Sequence, residues 1–315
     1  MRIAFIDRVH PVLEERLEAA GHICEQFHHV SERDLSGALG AVQGIIVRSR
    51  KVERGLMDGI PGLRFIGRVG SGLENIDTVH CAERGIAVLS APEGNRDGVG
   101  EMAVAHLLVL LKQVCRANQQ VRQGLWAREA NRGHDLAGRT VGIIGYGHMG
   151  TAFAEKLQGF DVRILAHDKY RKGFGNDRIE EVGLATLQSE CDVVSLHLPL
   201  TEETHHYVNA GFIERMLRPF WLLNTARGPV VDTAALLDGL DRRKVLGAGL
   251  DVLEFETPTL DGLDQQTHAD VLSRLLAHEG VLLTPHVAGV THEGKLRMAT
   301  VLADKILKVI GTDHA

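Results

Sequence analysis

The sequence predicts an α/β protein built from two parallel-sheet domains, and three observations predict it. Strand-like and helix-like segments alternate from end to end, the pattern of strands joined by helical crossovers. The chain has 315 residues, roughly the length of two ordinary domains. Its 44% hydrophobic and 24% charged content supplies two cores and a soluble surface.

The first series of strands runs IAFID (3–7), a weaker HICEQF (22–27), GIIV (44–47), LRFIGRV (63–69) and IAVLSAP (86–92). Amphipathic helices lie between them, such as the one over 12–20 that Gly21 closes as a C-cap. Next comes a long apolar helix, EMAVAHLLVLLKQVCRANQQV (101–121), hydrophobic around most of its girth and so expected to be buried on several sides. A second series begins at Thr140: TVGIIG, VRILAHD, DVVSLHLP, FWLLNTAR, GAGLDVL and VLLTPHV. Six strands match a complete dinucleotide-binding sheet. The tail, 291–310, reads as a final helix with no strand after it. Its natural place is back on the first domain, so that the chain crosses twice between domains and leaves a cleft.

Composition excludes several classes. A net charge of −6, with three Tyr and two Trp, argues against a nucleic-acid or membrane-surface partner. The four cysteines (Cys24, Cys81, Cys115, Cys191) form no C-x-x-C and read as buried thiols of a reducing compartment. The adjacent pairs His28-His29 and His205-His206 point to different faces, so no metal site is expected. The start, MRIAFIDRVHP, lacks the apolar core of a signal peptide, and the most apolar run, 102–111, is too short for a bilayer. The expected location is the cytoplasm.

Four motifs carry chemistry. VGIIGYGHMG (141–150) places Gly145, Gly147 and Gly150 between a strand and a helix, a spacing that brings backbone amides to a dinucleotide's pyrophosphate. Asp168 ends the next strand, where a carboxylate accepts from ribose hydroxyls and repels a 2′-phosphate. That favours NAD over NADP, although the cations Lys169, Arg171 and Lys172 follow it and pull the other way. NTARGPVVD (224–232) sets Arg227 at the carboxyl end of an apolar strand, ready to grip a carboxylate with two parallel hydrogen bonds. GLDVLEFE supplies Asp251, Glu254 and Glu256, and LLTPHVAG supplies His286. Arginine, acid and histidine at neighbouring strand ends suit hydride transfer, with Arg227 holding the substrate and His286 exchanging a proton beside an acid.

Taken in order, RVGSGLENID (68–77), VGIIGYGHMG with Asp168, VSLHLPLTEETHHYV (194–208), NTARGPVVD, GLDVLEFE and TPHVAG resemble the D-isomer-specific 2-hydroxyacid dehydrogenase family over nearly the whole chain. The resemblance implies two Rossmann-like or flavodoxin-like domains. An NAD-binding domain (98–286) is inserted into a discontinuous substrate-binding domain (1–97 and 287–315). It assigns Arg227 as carboxylate anchor, Glu256 as partner of the histidine and His286 as acid/base. Glu256 is preferred to Glu254 for its spacing from Asp251. It further implies that the Ser71 and Gly72 amides bind the substrate carboxylate. The cofactor would meet His148, Met149, Asp168, His197, Leu198, Pro199, Thr225, Ala226, Asp251 and Gly289. A homodimer is expected, from the family and the buried-looking helix at 101–121. Two departures stand out. Thr257 separates Glu256 from Pro258, and the stretch TLDGLDQQTHADVLSRLL after it is longer than the family's usual loop.

IIVRSR, APEGNRDGVGEMA and REANRGHDLAGRTVGIIGYGHMG resemble short bacterial members named phosphoglycerate dehydrogenases, ending before any C-terminal regulatory domain. A phosphorylated substrate needs further cations, for which Arg48, Arg50, Arg68 and Arg96 are candidates. The expected substrate is therefore 3-phosphoglycerate. Glyoxylate/hydroxypyruvate or a lactate-like acid is the alternative, and a nucleotide-sensing corepressor-like binding protein is the alternative of another class.

Overall fold

The computed structural model describes residues 1–257, 262–264 and 268–311. The chain divides into two compact units, Met1–Arg96 with Val290–Ala315, and Asp97–Gly289. They change over one and three residues away from the boundaries drawn on the sequence.

In the first unit the elements are β1 (Arg2–Phe5), α1 (Val12–Ala19), β2 (Ile23–Gln26), α2 (Glu32–Leu39), β3 (Gly44–Val47), α3 (Arg54–Asp58), β4 (Phe65–Arg68), α4 (Thr78–Glu83) and β5 (Ala87–Ser90). The sheet is parallel throughout, in the order β2-β1-β3-β4-β5 of a flavodoxin-like domain. Alternation along β1 sends Ile3 and Phe5 to one core and Ala4 and Ile6 to the other. Caps are local in origin: the Asp77 carboxylate accepts from the His80 amide at the start of α4 (2.9 Å). Gly21, at φ +83°, takes the left-handed turn that ends α1.

In the second unit, α5 (Pro92–Leu111, begun in the first unit) and α6 (Val114–Arg122) precede β6 (Thr140–Ile144), α7 (His148–Lys156), β7 (Arg163–His167), β8 (Ile179–Glu181), α8 (Leu184–Glu190) and β9 (Val193–Leu196). Then come α9 (Ala210–Arg215), β10 (Phe220–Asn224), α10 (Thr233–Asp241), β11 (Val245–Leu250), α11 (Ala269–Ala277) and β12 (Val281–Leu283). The parallel sheet runs β12-β11-β10-β9-β6-β7-β8, so its order reverses between β6 and β9. That reversal opens a crevice at the carboxyl ends of the strands, where open α/β sheets bind ligands. Leu107 and Leu111 of α5 and Phe153 of α7 fill one face, and helices α8 to α11 fill the other. The last helix, α12 (His292–Gly311), returns to the first unit, where Leu302, Ala303 and Ile306 pack with Phe5 and Phe65.

Four expectations are corrected. The single helix over 101–121 is two helices, α5 and α6, meeting at 61°. Gln113, at φ 57°, makes the break, and the change in burial explains it. Ala103, Leu107 and Leu111 are buried one turn apart, whereas α6 buries none of its residues. Pro92 closes no strand; it opens α5, where its missing N–H costs nothing. A seventh strand, β8, pairs with β7 at the sheet edge. Its three residues, IEE, carry no apolar run to announce it. Finally, only Cys81 and Cys191 are buried; Cys24 is half-buried and Cys115 exposed. Among the described residues no single helix is long and apolar enough to cross a membrane.

Candidate active site

Each glycine of the loop after β6 has its own reason. Gly145 has φ +88°, and a Cβ there would lie 2.4 Å from the His197 carbonyl oxygen. A Cβ on Gly150 would lie 2.1 Å from the Gly145 oxygen, so α7 can pack this close to the strand only with glycine. Gly147 has nothing within 4 Å of a built Cβ; its space is open. It is also the N-cap of α7 and offers no side-chain acceptor, unlike Asp232 at α10, which takes the Ala235 amide at 3.0 Å. The first amides of α7 therefore face open space with the helix dipole behind them, the setting a pyrophosphate requires. His148 is exposed and Met149 half-buried in that first turn.

Asp168 follows β7 and ties the loops together. Its Oδ2 accepts from the Tyr146 amide (2.8 Å), and its Oδ1 from the Tyr170 and Arg171 amides (2.9 and 2.8 Å). Burial works to raise its pKa, but the bonds from Arg171, Tyr146 and Tyr170 outweigh it and hold the carboxyl below its ordinary value. Three amide protons leave a fully ionised carboxylate with acceptor capacity for a ribose hydroxyl.

Across the crevice, the residues after β9 meet this loop with backbone. The His197 imidazole turns inward: Nε2 lies 2.9 Å from Ser195 Oγ, and burial pushes its pKa down to about 3. Its carbonyl, by contrast, is set under Gly145, so it is the main chain of this residue that borders the glycine loop. Leu198 is half-buried and Pro199 exposed. At the end of β10, Thr225 is buried and its Oγ1 has no partner among the described residues. A shielded hydroxyl without a partner costs stability unless a ligand satisfies it, so the residues fit a dinucleotide. Asn224 shapes the next turn, accepting from the Ala226 amide (3.0 Å) and donating to the Arg227 carbonyl (2.9 Å).

β10, β11 and β12 are neighbours, and the turns after them hold Arg227, Glu256 and His286. Arg227 Nη1 donates to its neighbour's carbonyl, Ala226 O, at 2.7 Å. A Cβ on Gly228 would stand 1.9 Å from the Leu253 oxygen, so the first two turns touch backbone to backbone. Glu256 Oε2 lies 2.9 Å from His286 Nδ1, and its Oε1 accepts from the Leu253 amide at 2.8 Å. Glu254 turns away: Oε2 takes the Thr233 amide at 2.9 Å and Oε1 meets His206 Nε2 at 2.6 Å. Although burial works to raise the Glu254 carboxyl, hydrogen bonds from Thr233 and His206 bring it below its ordinary value. It is the anchor of α10.

His286 itself sits at φ +54°, a left-handed conformation that must be held from outside. Asp251, 1% exposed, holds it. Its carbonyl accepts from the His286 amide (2.7 Å). Its carboxylate accepts from the Val287 amide (2.9 Å), the Ala288 amide (2.8 Å) and the Thr284 hydroxyl. Buried His106 of α5 reaches the same hydroxyl at 3.1 Å. Asp251 was expected at the cofactor; in the structure both its oxygens are engaged by this turn. The clamp, with Thr284 and His106, escaped the sequence reading, and its one signal is a lone histidine in an apolar helix.

The remaining predicted residues lie in the first unit or at its border. Arg48 is exposed after β3, and its amide donates to Asp7 Oδ2 at 2.7 Å. Ser71 and Gly72 follow β4 half-buried, with Ser71 Oγ donating to Asn95 Oδ1 at 2.7 Å. Arg50 donates to the His28 and Val30 carbonyls (2.9 and 2.8 Å) and its Nε lies 3.8 Å from Asp7 Oδ1, so its charge is already paired. Arg68 packs against Gly70. Gly289 ends the second unit. The long loop expected at 259–276 falls in part outside the described residues, at 258–261 and 265–267.

Comparison with known proteins agrees with this geometry. The D-isomer specific 2-hydroxyacid dehydrogenase, NAD binding domain profile matches residues 104–288. A hydroxypyruvate reductase of Thermotoga maritima is 35% identical over 284 residues, 90% of each chain. A D-3-phosphoglycerate dehydrogenase of Archaeoglobus fulgidus is 32% identical over 89% of this chain but 52% of its own length. The crystal structure of D-lactate dehydrogenase from Aquifex aeolicus, complexed with NAD and lactic acid, superposes with a TM-score of 0.82 at 27% identity, covering 99% of this chain and 96% of that one. A glycine loop on the reversing sheet, an aspartate at the end of the next strand and this match over most of the chain lead to one conclusion: the protein belongs to the D-isomer specific 2-hydroxyacid dehydrogenase family, NAD-dependent oxidoreductases that act on CH–OH groups.

Proposed function

We propose that the chain interconverts a small D-2-hydroxy acid and its 2-keto acid, with 3-phosphoglycerate and 3-phosphohydroxypyruvate as the favoured pair. The observation that carries the chemistry is the contact between His286 Nδ1 and Glu256, in a turn of the same sheet that bears the glycine loop. NAD, when bound, supplies the hydride acceptor or donor. Because Glu256 accepts from Nδ1–H, the other ring nitrogen, Nε2, carries the lone pair that takes the C2 hydroxyl proton in oxidation. In reduction the same atom returns it to the carbonyl oxygen. Glu256, itself fixed by the Leu253 amide, sets the tautomer and faces the charge that the ring acquires. Arg227 anchors the carboxylate as a fork.

Phosphate is favoured by the likeness of the N-terminal stretches to phosphoglycerate dehydrogenases and by exposed Arg48. One observation favours a second reading, reduction of hydroxypyruvate or glyoxylate: Arg50 is already paired with Asp7 and held by two carbonyls, which thins the cation cluster a phosphate needs. NADH oxidation followed across a panel of 2-keto acids that includes phosphohydroxypyruvate decides between them by kcat/KM. In the same assay Arg227→Ala should raise KM ~10²-fold, the worth of a charge-assisted bidentate contact, with a smaller loss in kcat. An unchanged KM removes the arginine from the anchor role.

A homodimer is part of this proposal. Val114, Val121 and Leu125 recur along one stripe of α6 and its end, 47–53% exposed, and Trp126 beside them is 78% exposed. Clustered apolar exposure of this kind marks an association surface. Sedimentation should give twice the 34.4 kDa chain mass, and a monomer would refute the stripe's assignment.

A further inference from the structure

Three cations follow the ribose-binding aspartate within four positions: Lys169, Arg171 and Lys172. Such a cluster ordinarily suits a 2′-phosphate, against the sense of Asp168. The structure gives each cation a different partner. Arg171 donates to the Tyr146 carbonyl, and Lys172 to the Asp168 carbonyl at 3.0 Å. Neither bond cancels charge. Among the described residues only Lys169 of the three forms an ion pair, with Glu203 Oε1, while Tyr170 donates its hydroxyl to Glu203 Oε2.

The position of this bridge matters as much as its charge. β6 lies between β7 and β9 in the sheet. Lys169 and Tyr170 belong to the turn after β7, and Glu203 to the turn after β9. A bond between those turns therefore straps the carboxyl end of β6, beside the glycine loop and Asp168. The hydrogen bond to Glu203 raises the Lys169 and Tyr170 pKa values, and those two residues in turn hold Glu203 below the usual carboxylate range. All three remain charged or protonated as the strap requires near neutrality.

We infer that Glu203 is a specificity residue for the dinucleotide: by engaging Lys169 and Tyr170 it withholds the adjacent cation from a 2′-phosphate. The inference rests on the NAD-binding reading of this crevice. Sequence alone sets three cations against one aspartate; the strap removes the nearest cation from that contest. Being exposed, the pair acts by charge and position more than by stability, and salt screens it.

The test is a fluorescence titration of NADH and NADPH into the intact protein and two variants at low ionic strength. Glu203→Gln keeps the shape of the side chain and removes its charge. The ratio Kd(NADPH)/Kd(NADH) should fall about fivefold, the scale of one exposed ion pair, with the NADH constant changed by less than about twofold. Adding Lys169→Met to Glu203→Gln should return the ratio to that of the parent. A ratio unmoved by Glu203→Gln overturns the inference. So does a gain that survives in the double variant, because the released lysine is then not its source. Failure of the unsubstituted protein to bind NADH at all brings down the cofactor reading itself, and the strap with it.

Discussion

His286→Ala should lower kcat by ~10²–10⁴, the usual contribution of a positioned general acid–base, while NADH binding is retained. The physical basis is the single ring nitrogen left by the Glu256 contact. Alanine leaves no group at that point to take or give the C2 proton. The glycine loop and Asp168 belong to other turns, so the binding amides are untouched. Steady-state rates and an NADH titration on the same variant check both halves. Near-parental kcat means that another group moves the proton and the histidine only packs. Loss of both rate and NADH binding would instead show that the turn collapses, which the Asp251 clamp argues against.

Asp251→Asn should be almost as damaging, and for a structural reason. The carboxylate receives three donors, from Thr284, Val287 and Ala288, in a site shut off from water. An amide of the same shape turns one acceptor into a donor that faces another donor, whichever way it flips. A buried polar group left unsatisfied costs about 1–3 kcal/mol, and the left-handed turn at His286 loses the restraint that offsets its strain. The expected result is a melting temperature lower by about 4–8 °C and a kcat reduced ~10-fold or more, with NADH still bound. If melting falls but kcat holds, the clamp stabilises without positioning His286. If neither changes, the three contacts are not what fixes the turn.

The two variants test different layers of one device. Glu256 fixes which nitrogen of His286 is basic, and Asp251 fixes where the ring stands. Glu254, two residues from Glu256, does neither; it caps α10 through the Thr233 amide. Alternation along an extended segment would put both glutamates on one side, and only the turn after β11 sends them apart. The spacing from Asp251 favoured Glu256 on resemblance, and the separation of the two acids is visible only in coordinates.

What was legible in the sequence was local. Apolar runs announced β3, β6, β9 and β10, because each is buried along its length and reads as a continuous hydrophobic stretch. Gly145 and Gly150 were legible because positive φ and close approach leave few other residues possible, and Gly147 by its spacing between them. Asp168 was marked by its place at a strand end. Where the signal was weak the reading failed: β8 has three largely polar residues, and nothing in LLKQVC announces a left-handed Gln113.

By itself, then, the sequence determined the series of strands and helices, the glycine loop and the residue types that can move a hydride and a proton. Those follow from periodicity and from the conformational limits of single residues. Only the tertiary structure decided which acid reaches His286, that Asp251 serves the turn, that the His197 ring faces inward, and that Lys169 is held by Glu203. The Glu256–His286 and Lys169–Glu203 contacts and the Asp251 clamp join residues at least 30 positions apart, brought together by parallel crossovers, as His106 and Thr284 are across 178 positions of chain. Partners so far apart leave no pattern in any short stretch, because the sheet order that joins them is a property of the whole domain.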